Sequence, residues 1–187
     1  MEMDFKQLAA AIKLIAEEKN LPLLLQAFAR LGRPYHLLLI GGSRAARPAH
    51  NVTMLPYRGD SLELASWVAS ADALVHAGSR ETFGLVTLEA MACGRPVVVA
   101  RAGAFPELVD ETVGMLAEPE SVDSMAGAIA ALYERDVESL GAAARAHVLR
   151  HFTWDRAFQS QTAAYSALIG AHRTLFEEDA ELSLRSL

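Results

Sequence analysis

The sequence predicts an α/β domain: a doubly wound parallel sheet flanked by helices, with further helices toward the C-terminus. Two observations carry that prediction. Short apolar runs recur without strict polar alternation, the pattern of strands buried on both faces. Helical segments with their own start and stop signals lie between these runs, which implies βαβ crossovers. Composition agrees, since 52% of the 187 residues are hydrophobic and 21% charged, ample apolar material for one core.

The elements follow in chain order. Residues 1–18 leave two readings open: Leu8 to Ala11 favours helix with Asp4 as its cap, whereas Ala11 to Ala16 reads as an opening strand. The next helix takes Asn20 as its cap, tolerates Pro22 in its first turn and stops at Gly32. Leu37-Leu38-Leu39-Ile40, closed by Gly41-Gly42, is a strand, and Asn51 to Leu55, closed by Pro56, is another. Asp60 and Glu63 form a capping-box-like start to a helix that runs to about Ser70. Leu74-Val75-His76 and Val97-Val98-Val99 are two more strands. Between them Thr87 to Ala92 is helical, stopped by Gly94 and Pro96.

From Ser121 onward strands are not expected. Ser121 to Tyr133, Val137 to Arg150 and Trp154 to about Ala171 read as three alanine-rich helices. Glu177 to Leu187 mixes charge and leucine, as a loose tail or a docking segment would. The expected organisation is an atypical opening segment (1–18), one Rossmann-like α/β domain (19–175) and a tail (176–187).

Charge and cysteine usage exclude several classes. With 17 Lys+Arg against 23 Asp+Glu the formal charge is -6, which argues against a nucleic-acid partner held by a broad basic face. Cys93 is the single cysteine, so neither an internal disulfide framework nor a Cys-based zinc site is expected. No apolar run approaches the roughly 18–20 residues that span a bilayer. Glu2, Asp4 and Lys6, then Lys13 and Glu17, interrupt any secretory apolar region, so a cytoplasmic location is expected.

The chemistry concentrates in His76 to Val99, HAGSRETFGLVTLEAMACGRPVVV. A strand ends near His76, a small-residue turn (Ala77-Gly78-Ser79) leads to Glu81, and Thr82-Phe83-Gly84 opens a helix. Backbone N–H groups at Phe83, Gly84 and Leu85 then lie in a first turn without helical acceptors, and the helix dipole favours an anion or hydroxyl oxygen there. Gly84 lets a ligand approach the backbone closely. Glu89, among Leu88, Ala90 and Met91, reads either as an exposed helix residue or as a buried carboxylate in need of a partner, and a ribose diol donates two hydrogen bonds to one carboxylate. Glu81 would accept from sugar hydroxyls.

Glu81 and Glu89 fit an E-x7-E signature, and ETFGLVTLEAMACGRPVV resembles the donor-binding half of retaining glycosyltransferases of family 4, which have the GT-B fold. The resemblance extends to Glu18-Lys19-Asn20-Leu21-Pro22-Leu23-Leu24, to Leu38-Leu39-Ile40-Gly41-Gly42 and to Ala71-Asp72-Ala73-Leu74-Val75. Ala104-Phe105-Pro106-Glu107-Leu108-Val109 and Phe152-Thr153-Trp154 continue it, so that residues 12 to 170 are covered. It implies a Rossmann-like nucleotide-sugar domain that takes a hexose from a UDP- or GDP-sugar, with no metal and no cofactor. Lys19 would neutralise the donor diphosphate, and Glu81 would contact the transferred sugar. These two are the expected catalytic pair. Thr82, Phe83, Gly84 and Leu85 would line the sugar and phosphate, Glu89 would hold the ribose, and Gly42, Tyr57 and Arg58 would complete the donor site. Developing charge on the leaving diphosphate would be stabilised by lysine and helix amides.

Three departures accompany the resemblance. The glycine-arginine pair that precedes the lysine loop is represented only by Lys13, and Gly41-Gly42-Ser43-Arg44 replaces a glycine-x-glycine turn. The N-terminal acceptor-binding domain has no counterpart, so the isolated chain is expected to be inactive. Its partners would be the donor, that missing domain, and a peripheral membrane acceptor if the acceptor is lipid-linked. The alternative is a stand-alone or engineered nucleotide-binding domain that performs no transfer.

Other residue patterns carry blander readings. Gly41 to Ala45 resembles a nucleophile elbow around Ser43, but Pro48 and the strand at Asn51 follow too soon for the required helix. His147 and His151 mark a solvated helix face, and Cys93 reads as a small buried residue. Phe152 and Trp154 read as core anchors. His76 is either a packed strand residue or a wall of the donor site.

Overall fold

The computed structural model describes residues 7–12, 20–41, 49–56 and 59–184. Among these, six parallel strands form one sheet in the order β3-β2-β1-β4-β5-β6. They are β1 Gln7–Ile12, β2 Tyr35–Ile40, β3 Val52–Leu55, β4 Ala73–His76, β5 Val97–Ala100 and β6 Gly114–Ala117. The helices are α1 Leu21–Leu31, α2 Ser61–Ser70, α3 Leu85–Ala92, α4 Phe105–Leu108, α5 Val122–Tyr133, α6 Val137–His151 and α7 Trp154–Leu184. This strand order is that of the Rossmann-like doubly wound fold.

The opening segment supplies the middle of the sheet. Strand β1 pairs with β2 from Gln7↔Tyr35 to Ile12↔Ile40, and on its other edge Ala9 faces Ala73 and Ala10 faces Leu74. Its alanines favour helix in isolation, and hydrogen-bonded neighbours on both edges override that weak preference.

Burial follows the strand alternation. Val75 and Val98 join Leu24 and Phe28 of α1 and Met125 and Ile129 of α5 in one core. Leu74, Val97 and Val99, of opposite parity, are also buried, on the side that α3 covers. Helix α1 stops where Gly32 adopts φ 61 and returns its N–H to the Phe28 carbonyl at 3.0 Å. Asn51 then seals the rim: its Nδ2 donates to Phe28 O at 2.8 Å and Tyr35 O at 3.2 Å, with Gly32 O at 3.5 Å. Helix α2 begins as its sequence predicts, with the Asp60 carboxylate accepting from the N–H groups of Leu62 (2.8 Å) and Glu63 (3.4 Å).

Two elements were not foreseen as such, the edge strand β6 and the one-turn helix α4. The chain divides into two compact units, 1–149 and 150–187. In the second, α7 continues as helix to Leu184, through most of the segment expected to be a tail. Trp154 does not anchor a core; it is 78% exposed and stacks on Phe158, ring centroids 5.9 Å apart. The physical reason is its place on the first turn of α7, whose described side chains from 154 to 170 are all exposed. Among the described residues no helix is long and apolar enough to cross a membrane.

Candidate functional site

Strands β1 and β4 are neighbours, and the chain leaves their C-terminal ends toward opposite sides of the sheet. A sheet of this kind opens a crevice at that point. Among the described residues, Asn20 before α1 and the connections β4–α3 (77–84), β5–α4 (101–104) and β6–α5 (118–121) lie beside this point.

The β4–α3 connection is held from within and from beside. His76, 4% exposed, accepts the Gly78 N–H at Nδ1 over 3.1 Å. That bond requires a bare Nδ1, so the proton of the neutral ring sits on Nε2. Nε2 faces the Glu81 carboxylate at 3.6 Å, and the ring meets Phe105 edge-on at 4.9 Å. His76 is thus both a packed residue and a neighbour of Glu81. The Glu81 carbonyl accepts the Ala104 N–H at 3.1 Å, joining the β4–α3 and β5–α4 loops. Gly103 allows this approach, because a Cβ there would overlap the Glu81 carbonyl oxygen.

Helix α3 starts at Leu85, so of the amides expected in its first turn, at Phe83, Gly84 and Leu85, only that of Leu85 lies there. Gly84 is its N-cap at φ 79, and the Thr87 N–H returns to the Gly84 carbonyl at 2.9 Å. The N–H groups of Leu85 and Val86 therefore have no acceptor within the helix, while Phe83 belongs to the preceding loop. Gly84 is also required by packing, since a Cβ would meet Leu108 Cδ1 at 2.9 Å and Phe105 Cε1 at 3.2 Å. Thr82, Phe83 and Leu85 are exposed around this helix start.

Residues 6–135 match the family model described as glycosyl transferases group 1. The chain belongs to that family. This group 1 glycosyl transferase chain is 38% identical over 144 residues to the D-inositol 3-phosphate glycosyltransferase of Actinosynnema mirum, covering 75% of itself and 33% of that protein. It is 34% identical over 152 residues to a GDP-mannose-dependent alpha-(1-6)-phosphatidylinositol dimannoside mannosyltransferase of Mycobacterium tuberculosis, covering 77% of itself and 39% of that protein. The glycosyl transferase chain thus spans between a third and two fifths of these relatives' length. Among solved structures it resembles sucrose-phosphate synthase from Thermosynechococcus elongatus, with TM-score 0.77, 26% identity, and coverage of 91% of this chain and 47% of that one. HepE from Anabaena in complex with UDP shares the fold at TM-score 0.76 and 24% identity, over 87% of this chain and 49% of that one.

In this chain, Glu81, Thr82, Phe83, Gly84, Leu85 and Glu89 gather on one connection and its helix, whereas Lys19, Gly42, Tyr57 and Arg58 lie outside the described residues. Glu89 is exposed, so the premise of a buried carboxylate in need of a partner is corrected. The helix turns Leu88, Ala90 and Met91 inward and leaves Glu89 on the face of Leu85, one turn from the helix start. Cys93 is half-buried rather than buried, and burial, opposed by Arg145, pushes its thiol pKa up, away from a nucleophile's. Sequence reasoning missed Gly103, whose signal was a glycine just after a strand. It also missed Glu120, which carries no sequence signal beyond lying in a turn.

Proposed function

We propose that this chain is the nucleotide-sugar donor-binding domain of a retaining, metal-independent family 4 glycosyltransferase that transfers a hexose from a UDP- or GDP-sugar. The observation that carries the reading is the fixed placement of Glu81 where α3 begins, beside the switch point of the sheet. His76 Nε2 lies 3.6 Å from its carboxylate, and the Ala104 N–H donates to its carbonyl. Leu85 and Val86 would offer amides to the donor diphosphate, Lys19 would neutralise it, and Glu89 would hold the ribose. Glu81 would face the sugar that is transferred. The Mycobacterium relative's name specifies GDP-mannose, and the fold neighbour HepE was solved with UDP, both of the donor class proposed here.

These 187 residues by themselves are expected to bind donor without transferring it, in keeping with their coverage of 33% and 39% of the two relatives. Calorimetric titration with UDP, GDP and their hexose conjugates, followed by a transfer assay, tests this. Binding of at least one nucleotide without turnover is expected; turnover by this polypeptide alone would refute the isolated-domain part. Glu89→Ala is expected to weaken sugar-free nucleotide binding more than Glu81→Ala does, and the opposite order would reject the division of ribose and sugar contacts between them.

A further inference from the structure

Asn20 and Glu120 are the two non-glycine residues with positive φ among the described residues, at 48° and 56°. They are bonded to each other: Asn20 Nδ2 donates to Glu120 Oε2 at 2.9 Å, across 100 positions of sequence. The other oxygen, Oε1, accepts from Ser79 Oγ at 3.0 Å. One carboxylate therefore joins three connections at the C-terminal edge of the sheet, β1–α1, β4–α3 and β6–α5.

Each partner gives up a local preference to make this contact. Asn20 is the N-cap residue of α1, yet its side chain makes no cap hydrogen bond, contrary to the role its sequence position predicts. A glutamate gains nothing locally from the left-handed region, where glycine is the unstrained choice. The next residue, Ser121, is fixed as the cap of α5 by accepting the Ser124 N–H at 3.2 Å. The Glu120 backbone is thus held against a rigid helix end while its side chain reaches outward. Strain of this kind collects where neighbouring groups must be placed.

We propose that Glu120 is a positioning residue of the donor site, which keeps Asn20, at the entry to α1, in register with the turn that carries Ser79 and Glu81. The proposal rests on the donor-site reading for what is positioned, and on the hydrogen bonds alone for the latch. Ser79 and Asn20 are half-buried and Glu120 is exposed, so the latch adds little to global stability and acts on loop placement.

The test uses Glu120→Gly, which relieves the backbone and removes the carboxylate, and Glu120→Gln, whose amide oxygen still accepts from Asn20 while its NH2 donates to the Ser79 oxygen. In the ligand-free protein, Glu120→Gly is expected to speed amide hydrogen exchange about fivefold over both 20–24 and 77–82 with no fall in Tm. The Kd for UDP or GDP is expected to rise about five- to tenfold, with binding of uridine or guanosine unchanged and Glu120→Gln near wild type. Unchanged exchange in either segment overturns the latch. Faster exchange with wild-type UDP and GDP affinity overturns the positioning role. If the wild type binds neither nucleotide while exchange responds as expected, the donor reading falls and the latch between the loops stands.

Discussion

Gly103 adopts φ 56, and a side chain there would collide with the Glu81 carbonyl oxygen. Gly103→Ala therefore meets two obstacles, a left-handed backbone that alanine resists and a clash with a neighbouring loop. A stability loss of about 1–3 kcal/mol is expected in urea denaturation, together with weaker donor binding, because the Ala104–Glu81 hydrogen bond cannot form unchanged. An unaltered denaturation midpoint would show that the loops part without cost. At this scale the sequence was legible unevenly. Glu81 and Glu89 were visible through spacing, yet spacing says nothing of exposure, and Glu89 lies on the open face of its helix. Gly84 was noticed as room for a ligand, whereas Phe105 and Leu108 demand it for packing. Glu120 was invisible because a contact across 100 positions leaves no local pattern.

Strands β2 and β3 carry a titratable pair member inside the sheet. His36 is 4% exposed, its Nε2 lies 2.8 Å from Thr53 Oγ1, and burial, with a smaller effect of His50, holds its pKa below the usual 6.5. Below that usual value the unfolded chain takes up a proton that the folded chain refuses. Stability contributed by neutral His36 is therefore complete above about pH 6.5 and declines as pH falls toward the lowered folded value. Urea denaturation at pH 7.5 and 5.5 is expected to show this decline, and His36→Gln to flatten it; an identical pH slope in the variant would contradict the assignment. Elements with strong local signals, such as α2 behind Asp60 and β5 with its valines, were readable from the sequence. Strand β6 (Gly114-Met115-Leu116-Ala117) has no β-branched residue and reads equally well as helix. Strand β1 was undecided for the same reason, since only its pairing with β2 and β4 makes three consecutive alanines extended.

Across the whole α/β unit, the strand order puts Glu81 and the start of α3 on the C-terminal rim of the sheet, where donor binding is proposed. Saturation with UDP or GDP is expected to slow amide exchange in 13–20, 77–86 and 101–105, and to leave 32–35, 49–52 and 93–96 unaffected. Equal slowing on both rims would contradict binding at the switch point. The doubly wound architecture was legible because alternating apolar runs and helices admit few topologies. The division at 149/150 was not, because no linker composition marks it.

The carboxamide of Asn51 gathers the carbonyls of a helix end, a turn and a strand start, at the rim away from Glu81. The hold that Asn51 provides is consequently lodged in atoms apart from those proposed to grip the donor. A lineage built on this frame is free to retune what it grips while its foundations stay as they are.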